Sequence, residues 1–348
     1  MIESDILIIG AGVSGLMAAV TALQHGEGEN APHITIVDKN PEIGGRLATA
    51  RMGSGRGDQG AQFFTVRDDR FRAWVDRWLS EDLVHVWSYG WSDGSIYATD
   101  EDGYPRYAVH GGMKRLAERL AADLKGKDEI ESVYLRLNAS ITAVSSDEGV
   151  WRATDENGRT YGARILVITA PIPLALALLD AGGTALAPDD RDALERIEYA
   201  PSLCGLFRVE GDVTLPEPGA IQRPGADISW IADNRRKGVS PDATVITVHA
   251  GPGLSRAHFD DDDARISARL SQAIQPYLGP GATIAASHIR RWRYALPLVL
   301  HPERYLRATR LPPLYFGGDA FGGPRVEGAA LSGMAIGRAL QKEGEQGD

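Results

Sequence analysis

The chain has 348 residues, a formal net charge of −10, 43% hydrophobic and 24% charged residues, and a single cysteine, Cys204. That length exceeds one ordinary domain, and the acidic balance excludes a general nucleic-acid binder, which needs a basic face for phosphates. One cysteine excludes intrachain disulfides, a cysteine metal cluster and a dithiol redox pair.

The first apolar run, Asp5-Ile6-Leu7-Ile8-Ile9, reads as a buried strand. Gly10-Ala11-Gly12-Val13-Ser14-Gly15 follows it, then a helical pattern from Leu16 to Leu23 and a second strand, Ile34 to Val37, that ends in Asp38. In that order they make the βαβ fingerprint of a dinucleotide site. Gly10 supplies the tight turn, Gly12 the close approach to a pyrophosphate, and Gly15 the packing of helix on strand. The helix N-terminus offers unpaired N–H groups to phosphates, and Asp38 can accept hydrogen bonds from an adenosine ribose. An ADP-bearing cofactor is expected. The opening run carries Glu3 and Asp5 and is broken by glycines, so it is not read as a signal peptide. No later run reaches spanning length without charges, and a cytoplasmic location with no membrane partner is expected.

Gly44-Gly45-Arg46 comes next, with Arg46 placed to reach back toward a pyrophosphate or ribityl chain. Asp58-Gln59-Gly60-Ala61-Gln62-Phe63-Phe64-Thr65 reads as a short apolar strand or loop. Arg67 to Leu79 has helical spacing, with Phe71, Trp74, Val75 and Trp78 on one face. Val84 to Trp91 alternates as a strand, turns at Asp93-Gly94 and resumes as a short strand. Gly111-Gly112 opens a helix from Met113 to Leu124. From Val133 the pattern is strand, strand, a hairpin turn at Glu156-Asn157-Gly158, and a strand at Arg159 to Tyr161. Ala163 to Thr169 is a buried strand of parallel type, stopped by Ala170-Pro171 and followed by a helix-like stretch. Beyond it lie strands at Leu203 to Val209, Ile228 to Ala232, Thr244 to Ala250 and Thr283 to Trp292, and a helix from Asp263 to Tyr277. Pro313 to Asp319 is another buried strand, a helix runs on to Leu340, and Gln341 to Asp348 reads as frayed.

The late strand ends in Gly317-Gly318-Asp319, delivering Asp319 to the edge where ligands sit in open α/β sheets. A carboxylate there repels a pyrophosphate and suits a hydroxyl-bearing chain such as ribityl. The helix that follows points its N-terminus at the same cofactor. NAD needs no such second element, whereas FAD does. No second Gly-x-Gly-x-x-Gly unit is present, so the flavin's reductant is expected at the ring face, in a pocket roofed by the inserted domain. No metal-ligand spacing appears, and Cys204 lies in the inserted region, away from any covalent flavin link. The expected fold is α/β: a discontinuous Rossmann-like FAD-binding domain (1–65, 104–172 and 308–348) with an inserted mixed-sheet substrate domain (66–103 and 173–307).

Gly10-x-Gly12-x-x-Gly15, Gly44-Gly45-Arg46, Gly111-Gly112-Met113 and Gly317-Gly318-Asp319 together resemble the amine-oxidase and phenol-hydroxylase flavoprotein superfamily. Further segments narrow the resemblance to the renalase family, especially its bacterial members. They are Asp58-x-Gly60-Ala61-Gln62-Phe63-Phe64-Thr65-x-Arg67-Asp68, Ser229-Trp230-Ile231-Ala232-x-Asn234-Arg235, Val248-His249-Ala250, Arg291-Trp292-x-Tyr294-Ala295-x-Pro297 and Arg325-Val326-Glu327-Gly328-Ala329. This resemblance implies noncovalent FAD and oxidation of the 2- and 6-dihydro isomers of NAD(P)H to NAD(P)⁺. The hydride would pass to flavin N5 and the electrons to molecular oxygen, giving hydrogen peroxide. Ala320-Phe321 departs from the tryptophan that often follows Gly-Asp in bacterial relatives. With the resemblance, the cofactor contacts expected are Gly10, Gly12, Ser14, Gly15, Asp38, Lys39, Gly45, Arg46, Gln59, Gly60, Ala61, Gln62, Ile141, Ala170, Gly318, Asp319, Arg325, Val326, Glu327 and Ala330.

Oxidising a dihydropyridine removes a hydride and leaves an aromatic cation, so no general base is required. The protein has to align the ring and exclude water. His249, Trp292, Tyr294, Phe63 and Phe64 are the candidate walls, and Gln62 the candidate contact to a carboxamide. Arg235, Arg236 and Lys237 read as a solvated charge run, with substrate phosphates as the alternative. A flavin amine oxidase, an NAD(P)H-dependent hydroxylase and a non-catalytic flavin redox sensor remain open on the same scaffold.

Overall fold

The computed structural model describes residues 2–24, 31–94, 99–125 and 132–345. The chain divides into two compact units, one of Met1–Gly45, Ala117–Glu198 and Pro297–Asp348, the other of Arg46–Leu116 and Tyr199–Leu296. These crossings fall at other residues than the expected ones. The hairpin Thr49–Met52 with Gly55–Asp58 is hydrogen-bonded to Asn234 and Ser240, and so counts with the second unit. Helix Ile172–Ala181 packs on strand Ile141–Asp147, and so counts with the first.

The first unit carries an eight-stranded sheet. Strand Ile2–Ile9 pairs in parallel with Thr160–Ile168 on one side and Ile34–Val37 on the other. Leu314–Phe316 and Val133–Arg136 extend the parallel set outward. Leu7, Ile8, Ile34, Ile36, Leu166, Val167 and Phe316 are all fully buried, as an unbroken apolar run requires in strands covered on both faces. The two strands expected at Arg159 to Tyr161 and Ala163 to Thr169 are one. Tyr161 pairs antiparallel with Ala153 and parallel with Ile2, so the hairpin arm continues into the central sheet. Helix Val13–Ala22 lies along helix Arg325–Glu345, where a β-carbon on Gly333 would fall 2.2 Å from the Ser14 carbonyl oxygen; only glycine permits this approach.

The second unit is built on a seven-stranded, mainly antiparallel sheet in which Glu198–Glu210, Thr244–Ala250 and Ile228–Asp233 are neighbours. Phe207, Ile246, Val248, Ile266 and Leu270 form one core cluster, and Cys204 is buried in another with Met52, Leu206 and Val245. Helix Asp69–Ser80 begins at Asp68, whose side chain accepts from the Arg70 N–H at 2.9 Å.

Several boundaries differ from expectation. The helix expected over Asp263 to Tyr277 is Asp263–Ser271 followed by a separate 3₁₀ turn, Gln275–Tyr277, since Pro276 has no N–H to continue the ladder. Strand Thr283–Val299 runs past Trp292. The last helix continues to Glu345, so Gln341–Glu345 are helical rather than frayed, and residues 346–348 lie outside the described residues. The strand expected after Gly94 falls partly on residues 95–98, also outside them; Thr99–Val109 follows.

Candidate functional site

In the first unit the strands ending at Ile9, Ile168 and Phe316 are neighbours in the sheet, so their following loops share one edge. The Gly10 turn has φ +116°, and a β-carbon on Gly15 would fall 2.0 Å from the Gly10 carbonyl oxygen. Asp38 is buried: one carboxylate oxygen accepts from the Ala11 N–H at 2.8 Å, the other from the backbone and side chain of Asn40 at 2.8 Å. The acid thereby holds the glycine loop in place while keeping lone pairs to accept ribose hydroxyls. Thr169 Oγ1 donates to the Gly10 carbonyl at 3.2 Å, which brings neighbouring Ala170 to the loop. Gly318 N–H donates to Ser332 Oγ at 2.9 Å, tying the Asp319 turn to the last helix. Arg325, Val326 and Glu327 open that helix and Ala330 is buried within it. Ala139 N–H reaches the Asp38 carbonyl, which places Ile141 close by in sequence, whereas Lys39 is exposed.

Three features of this loop fit a dinucleotide phosphate. Helix Val13–Ala22 has no side-chain cap and no acid in its first turn. The buried Ser14 hydroxyl has no partner among the described residues. A β-carbon on Gly12 would meet nothing within 4 Å, so the space over the loop is open. Uncapped N–H groups, an unpaired hydroxyl and open space are what an anion needs at a helix N-terminus.

In the second unit the Asp58 to Phe63 segment is fixed residue by residue. Gln59 accepts at its carbonyl from Trp292 Nε1 at 2.6 Å, and its side-chain Oε1 is buried without a partner among the described residues. Ala61 N–H donates to the Arg46 carbonyl at 2.8 Å. The Gln62 amide nitrogen donates to the carbonyls of Asp58 at 2.8 Å and Gly60 at 3.1 Å, and lies 3.2 Å from His249 Nε2. Burial, and secondarily the Lys237 charge, pull the His249 pKa down to about 4, so its ring is neutral at neutral pH.

Beneath Gln62 lies a fully buried ion pair. Lys237 Nζ meets Asp58 Oδ2 at 2.7 Å and Gln62 Oε1 at 3.4 Å, with both charged side chains fully inaccessible. The other Asp58 oxygen accepts from Thr49 Oγ1 at 2.5 Å and Met113 N–H at 2.8 Å, and its carbonyl accepts from Thr247 Oγ1 at 2.9 Å. Asn234 completes the ring, accepting from Asp58 N–H at 3.1 Å. Burial pulls the ammonium pKa down while Asp58 opposes the shift.

The structure thus brings Gln62 and His249 together, and Gln59 with Trp292. It differs from expectation at Lys237, and it shows protein partners for Arg46, Tyr294, Phe63 and Phe64. Lys237 is not part of a solvated run; only Arg235 of the three is exposed, and Arg236 pairs with Glu217. Arg46 donates at 3.2 Å to the carbonyls of Tyr294 and Ala295, so this guanidinium is engaged with the strand Thr283–Val299. Tyr294 stacks edge-on against Tyr199 at 5.7 Å. Phe63 joins an aromatic cluster with Trp91 and Trp230 at 4.8 and 5.4 Å, and Phe64 packs in the core against Phe71 and Tyr107. Asp58, Lys237 and Asn234 are the residues that sequence reasoning misses as a set. Asp58 stands in a motif that can be read, but nothing local marks Lys237, which follows two arginines.

Residues 79–339 match the family described as flavin containing amine oxidoreductase, and residues 8–78 match an NAD(P)-binding Rossmann-like domain. Digeranylgeranylglycerophospholipid reductase 2 of Methanosphaera stadtmanae is 31% identical over 178 residues, 49% of this chain, and the chain spans 39% of that relative's length. An inferred protoporphyrinogen oxidase of Exiguobacterium sp. 255-15 superposes with a TM-score of 0.70 at 15% identity, covering 98% of this chain and 99% of that one. Wild-type putrescine oxidase bound to putrescine gives 0.66 at 14% identity, covering 97% and 99%. At such identities the likeness to both structures is one of fold. No helix among the described residues is long and apolar enough to cross a membrane.

Proposed function

We propose that this chain, which belongs to the flavin-containing amine oxidoreductase family and has FAD as its cofactor, is a renalase-like oxidase of dihydronicotinamide dinucleotides. Its substrates are the 2- and 6-dihydro isomers of NAD(P)H, converted to NAD(P)⁺ with reduction of oxygen to hydrogen peroxide in the cytoplasm. The flavin, when bound, supplies a two-electron acceptor for a hydride and a route from it to oxygen. The Gly10 to Gly15 loop, Ser14, Asp38 and Asp319 are the residues of this chain that would hold it.

The observation that carries the reading is the Gln62–His249 pair, an amide and a neutral imidazole 3.2 Å apart. Neutral hydrogen-bonding groups suit the carboxamide of a dihydropyridine, whose oxidation calls for no proton acceptor. The carboxylate at hand, Asp58, is sealed against Lys237 and offers nothing to a cationic amine. Lys237 Nζ already lies 5.3 Å from the Trp87 ring centroid, where an amine's charge would be repelled. His249, held by Gln62, would orient the ring, and Phe63 with its tryptophan neighbours would keep the surroundings apolar.

Steady-state turnover tests this in air. The 6-dihydro isomer should yield NAD⁺ and hydrogen peroxide in equal amounts, with no peroxide from putrescine or other primary amines. Peroxide formed from an amine, with none from the isomers, would replace this reading by an amine oxidase.

A further inference from the structure

The Gln62 amide is oriented by partners whose own roles are unambiguous. Its nitrogen faces two carbonyl oxygens, which only accept, and its oxygen faces an ammonium, which only donates. The third neighbour of that nitrogen is His249 Nε2. The amide nitrogen has two hydrogens for these three neighbours, so one hydrogen is shared; it has no lone pair to offer, and a proton on His249 Nε2 would be pressed against the Gln62 N–H groups. Nε2 must be the acceptor, and a neutral imidazole then carries its proton on Nδ1. No protein acceptor among the described residues meets Nδ1.

We propose that Lys237 is a positioning residue: by holding the Gln62 amide oxygen it fixes His249 as the Nδ1–H tautomer, a neutral donor for a carbonyl or carboxamide oxygen of the substrate. The pair Asp58–Lys237 is in turn fixed by Thr49, Met113 and the fold around it, so the tautomer is set from the buried side of the site. Outer partners commonly set histidine tautomers in this way at metal sites; here the inner group is a hydrogen-bond donor instead. The substrate part of the proposal rests on the reading of His249 given above. The tautomer part does not.

The test is nitrogen NMR of the FAD-loaded protein with isotope-labelled histidine, the His249 signals being assigned by their loss in His249→Asn. The wild type should show Nδ1 protonated and Nε2 bare near neutral pH. Gln62→Leu removes the donor, and the double variant Asp58→Asn/Lys237→Met removes Lys237 without stranding a buried charge. Both should give a mixture of tautomers, with kcat/KM for the 6-dihydro isomer down about tenfold, the loss of one hydrogen bond. A wild type protonated on Nε2, or a double variant that keeps a single tautomer, overturns the proposal. So does a released tautomer that leaves kcat/KM unchanged. If the tautomer behaves as stated but neither isomer is oxidised, the fault lies in the proposed reaction and not in the positioning role.

Discussion

At the scale of single residues, the buried Lys237–Asp58 pair dominates the second unit. Removing one member leaves an uncompensated charge with no access to water. Lys237→Met alone should therefore lower stability by about 3–5 kcal/mol in urea unfolding. Adding Asp58→Asn should recover most of that, because asparagine still accepts from Thr49 and Met113. A single variant as stable as the wild type would contradict the pair's role. His85 gives a pH prediction. Burial, and next the neighbouring His110 ring stacked at 4.1 Å, pull its pKa from 6.5 to about 4; the Lys237 charge adds to this, while the Lys237 backbone and Asp82 oppose it. The folded pKa lies below the unfolded one, so the unfolded chain takes up the proton first. Its stabilising contribution is present above about pH 6.5 and is lost as pH falls toward about 4. His249 contributes over the same window. Melting temperature measured from pH 7 to 4 should fall less steeply in His85→Gln than in the wild type; equal slopes would contradict the assignment.

At the scale of elements, helix Val13–Ala22 is held at both ends of its task. Its N-terminus faces open space with Ser14 unpaired among the described residues, and its side packs on the last helix through Gly333. Ser14→Ala should leave the fold intact and weaken FAD binding about tenfold, measured by fluorescence titration of the apoprotein. Unchanged affinity would mean that Ser14 does not meet the cofactor. Gly333→Ala should cost about 1–3 kcal/mol, because the added methyl must displace backbone rather than a flexible side chain. These elements are the ones most legible in the sequence. The glycine loop, the strand ending at Asp38 and the strand ending at Gly317 are all dictated by local geometry. The continuous Thr160–Ile168 strand and the Thr49–Asp58 hairpin are less so. The first changes partner along its length, and the second is short and takes its hydrogen bonds from residues far away in sequence.

At the scale of the molecule, legibility divides along the same line. Gln62 and His249 stand in motifs that can be read directly. Lys237 cannot, since a lysine after two arginines looks solvated until the fold brings it to an acid 179 residues away. Arg46 shows the same long reach: its guanidinium meets two carbonyls of a strand about 250 residues on, a contact its position beside the nucleotide motif does not announce. What the chain does as a whole depends on which donor reduces the flavin, and anaerobic mixing of the FAD-loaded protein with separate donors measures that directly. Rapid bleaching of the flavin is expected with 2- or 6-dihydro-NAD(P), and slow or no bleaching with ordinary NADH or with amines. Bleaching by ordinary NADH as fast as by the isomers, or by an amine alone, would contradict this.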